Sequence, residues 1–239
     1  MCFRCTMPAP TTRRSFLTAA GGAAAGLALS SSAFAQTPPP KPQNVVSADE
    51  ALKLLIAGNR RYVEGVSRRH DFKAEREALV QGQNPFASIL SCADSRIAPE
   101  YAFDSGRGDL FVCRVAGNFA NDESIASFEY AIAILNVPLL MVLGHRSCGA
   151  VEAAIKSIRD GTTLPGHLPS LVSALAPAVK AAAGLSGNPL DNAIKQNVIL
   201  NVAKLKAATP IIDKAVAEKK IRIVGAVYNL DDGRVELVS

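Results

Sequence analysis

Cysteine is scarce, with five in 239 residues, and two of those, Cys2 and Cys5, fall in the first five positions. Five scattered thiols cannot staple a chain of this length, so a disulfide scaffold is excluded and each cysteine is read singly. A large charge surplus is also missing. Of 26 Lys and Arg, three (Arg4, Arg13, Arg14) stand in residues 1–35, where there is no acid, so 23 basic residues face 21 acidic ones in the rest. A near-neutral body gives no reason to expect a nucleic acid partner. The apolar run of the amino-terminal segment, Ala19 to Leu29, is about eleven residues, short of the roughly 20 that span a bilayer, so no lasting membrane anchor is expected. No repeat of fixed period is visible. What is present, 49% hydrophobic and 20% charged residues, is the balance of a globular protein with a sizeable core.

Thr12-Arg13-Arg14-Ser15-Phe16-Leu17-Thr18, the apolar run and Ala33-Phe34-Ala35 follow in the order of a bacterial export signal. The paired arginines resemble the twin-arginine type, which carries folded proteins across the membrane. Residues 1–35 are therefore expected to be a twin-arginine-type signal peptide cleaved after Ala35, delivering the protein to the periplasm. Cys2 and Cys5 would leave with it. Residues 36–44, with Pro38, Pro39, Pro40 and Pro42, read as an extended linker. One folded domain is expected over 45–239.

Within it, Ser47 with Glu50 has capping-box spacing and opens a helix that carries Ala51, Leu52, Leu54, Leu55 and Tyr62. A more polar helix is expected over Lys73–Gln81, closed by Gly82. Apolar runs at Ala87–Ser91, Asp109–Val115 and Pro138–Gly144 read as buried strands. Helical patterns cover Glu123–Leu135, Ala150–Arg159, His167–Ala183 and Asn188–Lys220, the last broken before Pro210. Ile221–Tyr228 and Val235–Val238 flank Asp231-Asp232-Gly233, a hairpin signal. The alternation predicts an α/β domain with a mainly parallel central sheet flanked by helices and an antiparallel edge strand near the C-terminus.

Cys92-Ala93-Asp94-Ser95-Arg96 follows the first buried strand, and His145-Arg146-Ser147-Cys148 follows the strand ending at Gly144. Loops at the carboxyl ends of parallel strands converge on one crevice. Two thiolates and an imidazole suit zinc, and three protein ligands leave a fourth position for water or substrate. Such a zinc lowers the pKa of its water from ~15.7 towards ~7, less so with two thiolates cancelling the metal charge than with three imidazoles. Asp94 can accept a hydrogen bond from the resulting hydroxide, and Arg96 can hold Asp94.

Cys92-x-Asp94-x-Arg96 with His145-x-x-Cys148 resembles the β-class carbonic anhydrases. Gln83-Asn84-Pro85, Gly108-Asp109-Leu110-Phe111, Arg114 with Gly117-Asn118, Glu129-Tyr130, Gly144 and Gly149 extend the likeness over most of 45–239. The resemblance implies zinc on Cys92, His145 and Cys148, an Asp94–Arg96 dyad, and reversible hydration of CO2 to bicarbonate. It also implies a homodimer or homotetramer with sites at subunit interfaces. Gln83 would donate to a substrate oxygen, while Phe111, Ala116 and Tyr130 would line the CO2 pocket. In one subgroup the aspartate moves onto zinc at low pH, and a Trp-Arg-Tyr triad binds a second bicarbonate. With no tryptophan here, the permanently open type is expected. His70 and His167 carry no motif and read as surface residues, which leaves the proton shuttle unassigned, and Cys113 reads as a buried free thiol. Two other readings remain open: a zinc-stabilised binding protein without turnover, and a hydrolase of carbonyl sulfide or carbon disulfide on the same fold.

Overall fold

Helix α1 (Ala48–Val63) begins where the Ser47 hydroxyl accepts the Glu50 N–H, and it buries Ala51, Leu52 and Leu55 at helical spacing. The structure, a computed structural model, describes residues 46–239. The expected signal peptide and linker lie outside the described residues. Helix α2 (Phe72–Ala78) is capped by Asp71 and buries nothing. It stops three residues before the expected Gln81, because no apolar stripe ties a longer helix to the core.

Strands β1 (Ala87–Ser91) and β3 (Leu139–His145) are buried along their whole length, as their mainly apolar and small residues allow. With β2 (Leu110–Arg114), β4 (Arg222–Tyr228) and β5 (Val235–Leu237) they form one sheet in the order β2-β1-β3-β4-β5. The first four strands are parallel, and β5 pairs antiparallel with β4 at the edge. Pro99 opens a four-residue helix α3 (Pro99–Ala102), too short to show a period in the sequence. Helices α4 (Asp122–Ala133), α5 (Gly149–Asp160) and α6 (Leu168–Ala182) match their patterns closely. The long pattern ending at Lys220 is two helices, α7 (Pro189–Lys206) and α8 (Ile212–Ala217), separated around Pro210 as proline chemistry demands. Among the described residues no helix is long and apolar enough to cross a membrane.

Alternate residues of the strands feed two cores. Leu90, Leu140 and Val142 meet Val151, Leu175, Val198 and Leu205 on one face. Ile89, Leu139, Met141 and Leu143 meet Leu55, Ala102 and Phe103 on the other. On the second face lies a buried ion pair: Asp104 accepts from Arg61 Nε and from the Arg68 N–H, with its side chain only 2% exposed. Burial opposes its ionisation, but Arg61 and the Arg68 amide outweigh it and hold the carboxyl below its ordinary value. Asp104→Ala should cost about 3 kcal/mol by stranding Arg61, measurable by urea unfolding at pH 7. The loss should shrink as pH falls from the unfolded carboxylate pKa of about 4 towards the lowered folded value, the range over which this contribution to stability disappears.

Candidate metal centre

β1 leads to β2 on one side of the sheet, and β3 lies on its other side, so the carboxyl ends of β1 and β3 border the crevice where strand order reverses. Cys92 follows the last residue of β1, His145 closes β3, and Cys148 caps α5 after a tight turn in which Ser147 has φ +54°. All three are buried (3%, 0% and 1% exposed). Their ligand atoms lie within 4.8 Å of one another, and the two sulfurs are 3.9 Å apart. Two sulfurs on one tetrahedral zinc, each about 2.3 Å from it, would stand about 3.8 Å apart, so the spacing fits. His145 Nδ1 lies 2.8 Å from the Arg146 carbonyl, to which it donates. The lone pair is therefore on Nε2, which is buried without a hydrogen-bond partner, the arrangement a metal ligand has.

Without metal the cluster holds its protons unevenly. Cys92 is pulled down to about 4, chiefly by the Cys148 thiol donating to it, against burial and with help from His145 and the Gly117 N–H. Cys148 is pushed up because it keeps that proton and because it is buried. Burial disfavours the His145 imidazolium, but the Cys92 thiolate outweighs it and raises the pKa. A divalent ion held by Cys92, His145 and Cys148 would displace these protons, so metal affinity should weaken as pH falls.

Asp94 faces the cluster, its Oδ2 3.8 Å from His145 Nε2. Arg96 grips both its oxygens, Nε to Oδ1 at 2.9 Å and Nη2 to Oδ2 at 2.7 Å, and the Arg96 N–H also donates to Oδ1. This fork holds Asp94 well below the usual carboxylate range. Arg96 Nη2 also donates to the Ser147 carbonyl at 3.1 Å and so ties the two ligand loops together.

Arg114, at the end of β2, matters more to the loop than its motif suggests. Its Nε donates to the Cys92 carbonyl (2.9 Å), and Nη2 to those of Asp94 (2.7 Å) and Ile97 (2.8 Å). Lysine keeps the charge but not the fork. Arg114→Lys should therefore weaken zinc binding and lower kcat/KM, each about tenfold, read by chelator competition and steady-state kinetics.

The four expected substrate residues do not gather at this cluster. Ala116 immediately precedes Gly117, whose N–H donates to Cys92 Sγ at 3.2 Å. Gly117 sits at φ +84°, and a Cβ there would come within 2.9 Å of Leu175 Cδ1. Phe111 pairs in register with Ser88, four residues before Cys92 and so roughly 13 Å back along the sheet. Tyr130 on α4 is half exposed, its ring centroid 6.4 Å from that of Phe111. Gln83 is exposed and precedes the amino end of β1, while Cys92 follows its carboxyl end, roughly 17 Å of strand away. His70 is not a free surface residue: Nδ1 lies 2.9 Å from Glu75 Oε1, and the ring stacks on Phe72. His167 is exposed. Cys113 is a free thiol but only half buried, because β2 is an edge strand, and burial pushes its pKa up.

Residues 87–235 match the carbonic anhydrase family model. Carbonic anhydrase 2 of Mycobacterium tuberculosis is 42% identical over 195 residues, covering 81% of this chain and 93% of that protein. The chain belongs to the β-class carbonic anhydrase family. The carbonic anhydrase of Mycolicibacterium smegmatis is 39% identical over 197 residues, 82% of this chain and 94% of its own. Among solved structures, the β-carbonic anhydrase CcaA aligns with a TM-score of 0.60 at 26% identity, over 79% of this chain and 95% of that one. The α/β fold with its parallel sheet and antiparallel edge pair is the fold of β-class carbonic anhydrases, and zinc is the cofactor that the Cys92–His145–Cys148 group fits.

Proposed function

We propose that the protein is a zinc-dependent enzyme that interconverts CO2 and water with bicarbonate and a proton. The observation that carries this is the unpartnered His145 Nε2 facing two sulfurs, beside a carboxylate locked by an arginine. Cys92, His145 and Cys148 would hold the zinc, which would supply hydroxide near neutral pH by lowering the pKa of water. Asp94, ionised and therefore acceptor only, takes the hydrogen bond of the attacking hydroxyl and turns its lone pair towards carbon. Arg96 keeps Asp94 charged and engages both carboxylate oxygens. That hold disfavours the reading as a purely structural zinc, since Asp94 is the near protein group that would close such a site. Stopped-flow CO2 hydration on zinc-quantified protein over roughly pH 6 to 9 tests the proposal. Turnover should scale with zinc content. Full zinc with no CO2 hydration, but with hydrolysis of carbonyl sulfide or carbon disulfide, would contradict it.

The working unit is a homodimer or homotetramer in which Gln83, Phe111 and Tyr130 serve a partner's metal centre. Their separation along the strands from Cys92 supports this, as does the outer side of β2, which pairs with no strand among the described residues. Mixing tests it. Gln83→Ala and Cys148→Ala homo-oligomers should each be poorly active, and hybrids should regain activity because one site then has both its metal ligands and a partner's Gln83. No gain on mixing would place Gln83 with its own chain.

Residues 1–35 are proposed to direct twin-arginine export to the periplasm, with 36–44 as linker, on the strength of Arg13-Arg14 and the Ala33-Phe34-Ala35 site. Loading zinc before export would shield Cys92 and Cys148 from oxidation. Export that persists after Arg13 and Arg14 are both changed to Lys would refute the route.

A further inference from the structure

Helix α7 turns three polar side chains, at i, i+4 and i+7, onto the loop that follows β2. Asn197 and Asn201 are only 2% and 7% exposed. Asn197 Nδ2 donates to the Gly117 carbonyl at 2.8 Å, and Asn201 Oδ1 accepts the Ala120 N–H at 2.7 Å. Asn201 Nδ2 donates to Asn197 O and Oδ1, and Lys204 Nζ donates to the Ala120 carbonyl at 2.6 Å. The stretch 117–120 is thus fixed at both ends from one helix face. Its first residue is Gly117, the donor to Cys92 Sγ.

We propose that Asn197 is a positioning residue of the metal centre: by holding Gly117 it keeps that N–H on the Cys92 sulfur and so sets how strongly the sulfur donates to the metal. A hydrogen bond to a thiolate withdraws electron density that would otherwise go to the ion. Two thiolates cancel the formal charge of a divalent metal, so a sulfur restrained in this way leaves the ion more electrophilic. Burying two amides is tolerated because each side-chain nitrogen and oxygen has a partner, and Asn197 Nδ2 and Asn201 Oδ1 find theirs on the loop beside Cys92. The inference rests on the zinc reading above.

The test uses the full protein loaded with Co2+, whose thiolate-to-metal charge-transfer band reports sulfur donor strength. In Asn197→Ala the band should move to lower energy with the tetrahedral ligand-field bands retained, and zinc-loaded kcat should fall several-fold. Lys204→Met, a milder change at the far end of the ladder, should move the band in the same direction by less. Asn59→Ala removes a comparable buried amide on the opposite face of the sheet, bonded to Ala102 O, Gly233 O and the Val235 N–H. It should lower Tm and leave the band in place. The inference is overturned if cobalt-loaded Asn197→Ala and Lys204→Met both keep the wild-type band, or if Asn59→Ala moves it as far. A wild-type protein that takes up no cobalt overturns the zinc reading itself, an outcome distinct from an unmoved band.

Discussion

Cys148→Ala is expected to strip zinc from the protein and lower CO2 hydration by about a thousandfold or more. The cluster supplies two sulfurs and one nitrogen, all buried, and removing one sulfur leaves two ligands for an ion that needs at least three from the protein. Cys148 is 1% exposed at the start of α5, and alanine fits within its space, so the fold should persist. Metal analysis alongside circular dichroism separates the two effects. Native-like spectra with zinc below a tenth of an equivalent are expected, whereas full zinc occupancy would mean that another side chain completes the site.

Asp94→Asn is expected to keep zinc while lowering kcat about a hundredfold. The amide preserves shape but loses the charge, so it can offer the attacking hydroxyl a donor where an acceptor is needed, and it releases the Arg96 fork. Because Arg96 holds the Asp94 pKa well below the ordinary range, the carboxylate stays charged throughout the neutral region. The stabilisation from this pair is complete above the unfolded pKa of about 4 and is lost only as pH falls further towards the folded value. Any acid limb in the rate between about pH 6 and 9 must therefore come from another group. An Asp94→Asn enzyme with wild-type kcat and full zinc would remove Asp94 from the reaction.

The grouping of Cys92, His145 and Cys148 was legible in the sequence because Cys92 and His145 stand at the ends of two buried strands, Ala87–Ser91 and Leu139–His145, and Cys148 opens the helix that follows the second. A run of that kind announces both a strand and its exit, and chemistry placed at the exit is held by the sheet. What escaped had no local signature. Helix α3 is four residues long, and the end of α2 depends on the lack of a packing surface. Asn197 and Asn201 look like ordinary polar positions on a helix, and their partners lie about eighty residues away in the chain. Arg114 stood in the sequence as a member of a motif, and its hold on the carbonyls of Cys92, Asp94 and Ile97 depends on a loop fold that no local pattern announces. Gln83, Phe111 and Tyr130 group with Ala116 by resemblance, yet strand register sets Phe111 level with Ser88, four residues before Cys92.

X-ray absorption at the zinc edge, on purified protein at neutral pH, reads the coordination directly. Two sulfurs near ~2.3 Å, one nitrogen near ~2.0 Å and a single further light atom are expected, the last being the open position where hydroxide forms. A shell of four sulfurs, a shell without sulfur, or a protein that carries no zinc would contradict the account.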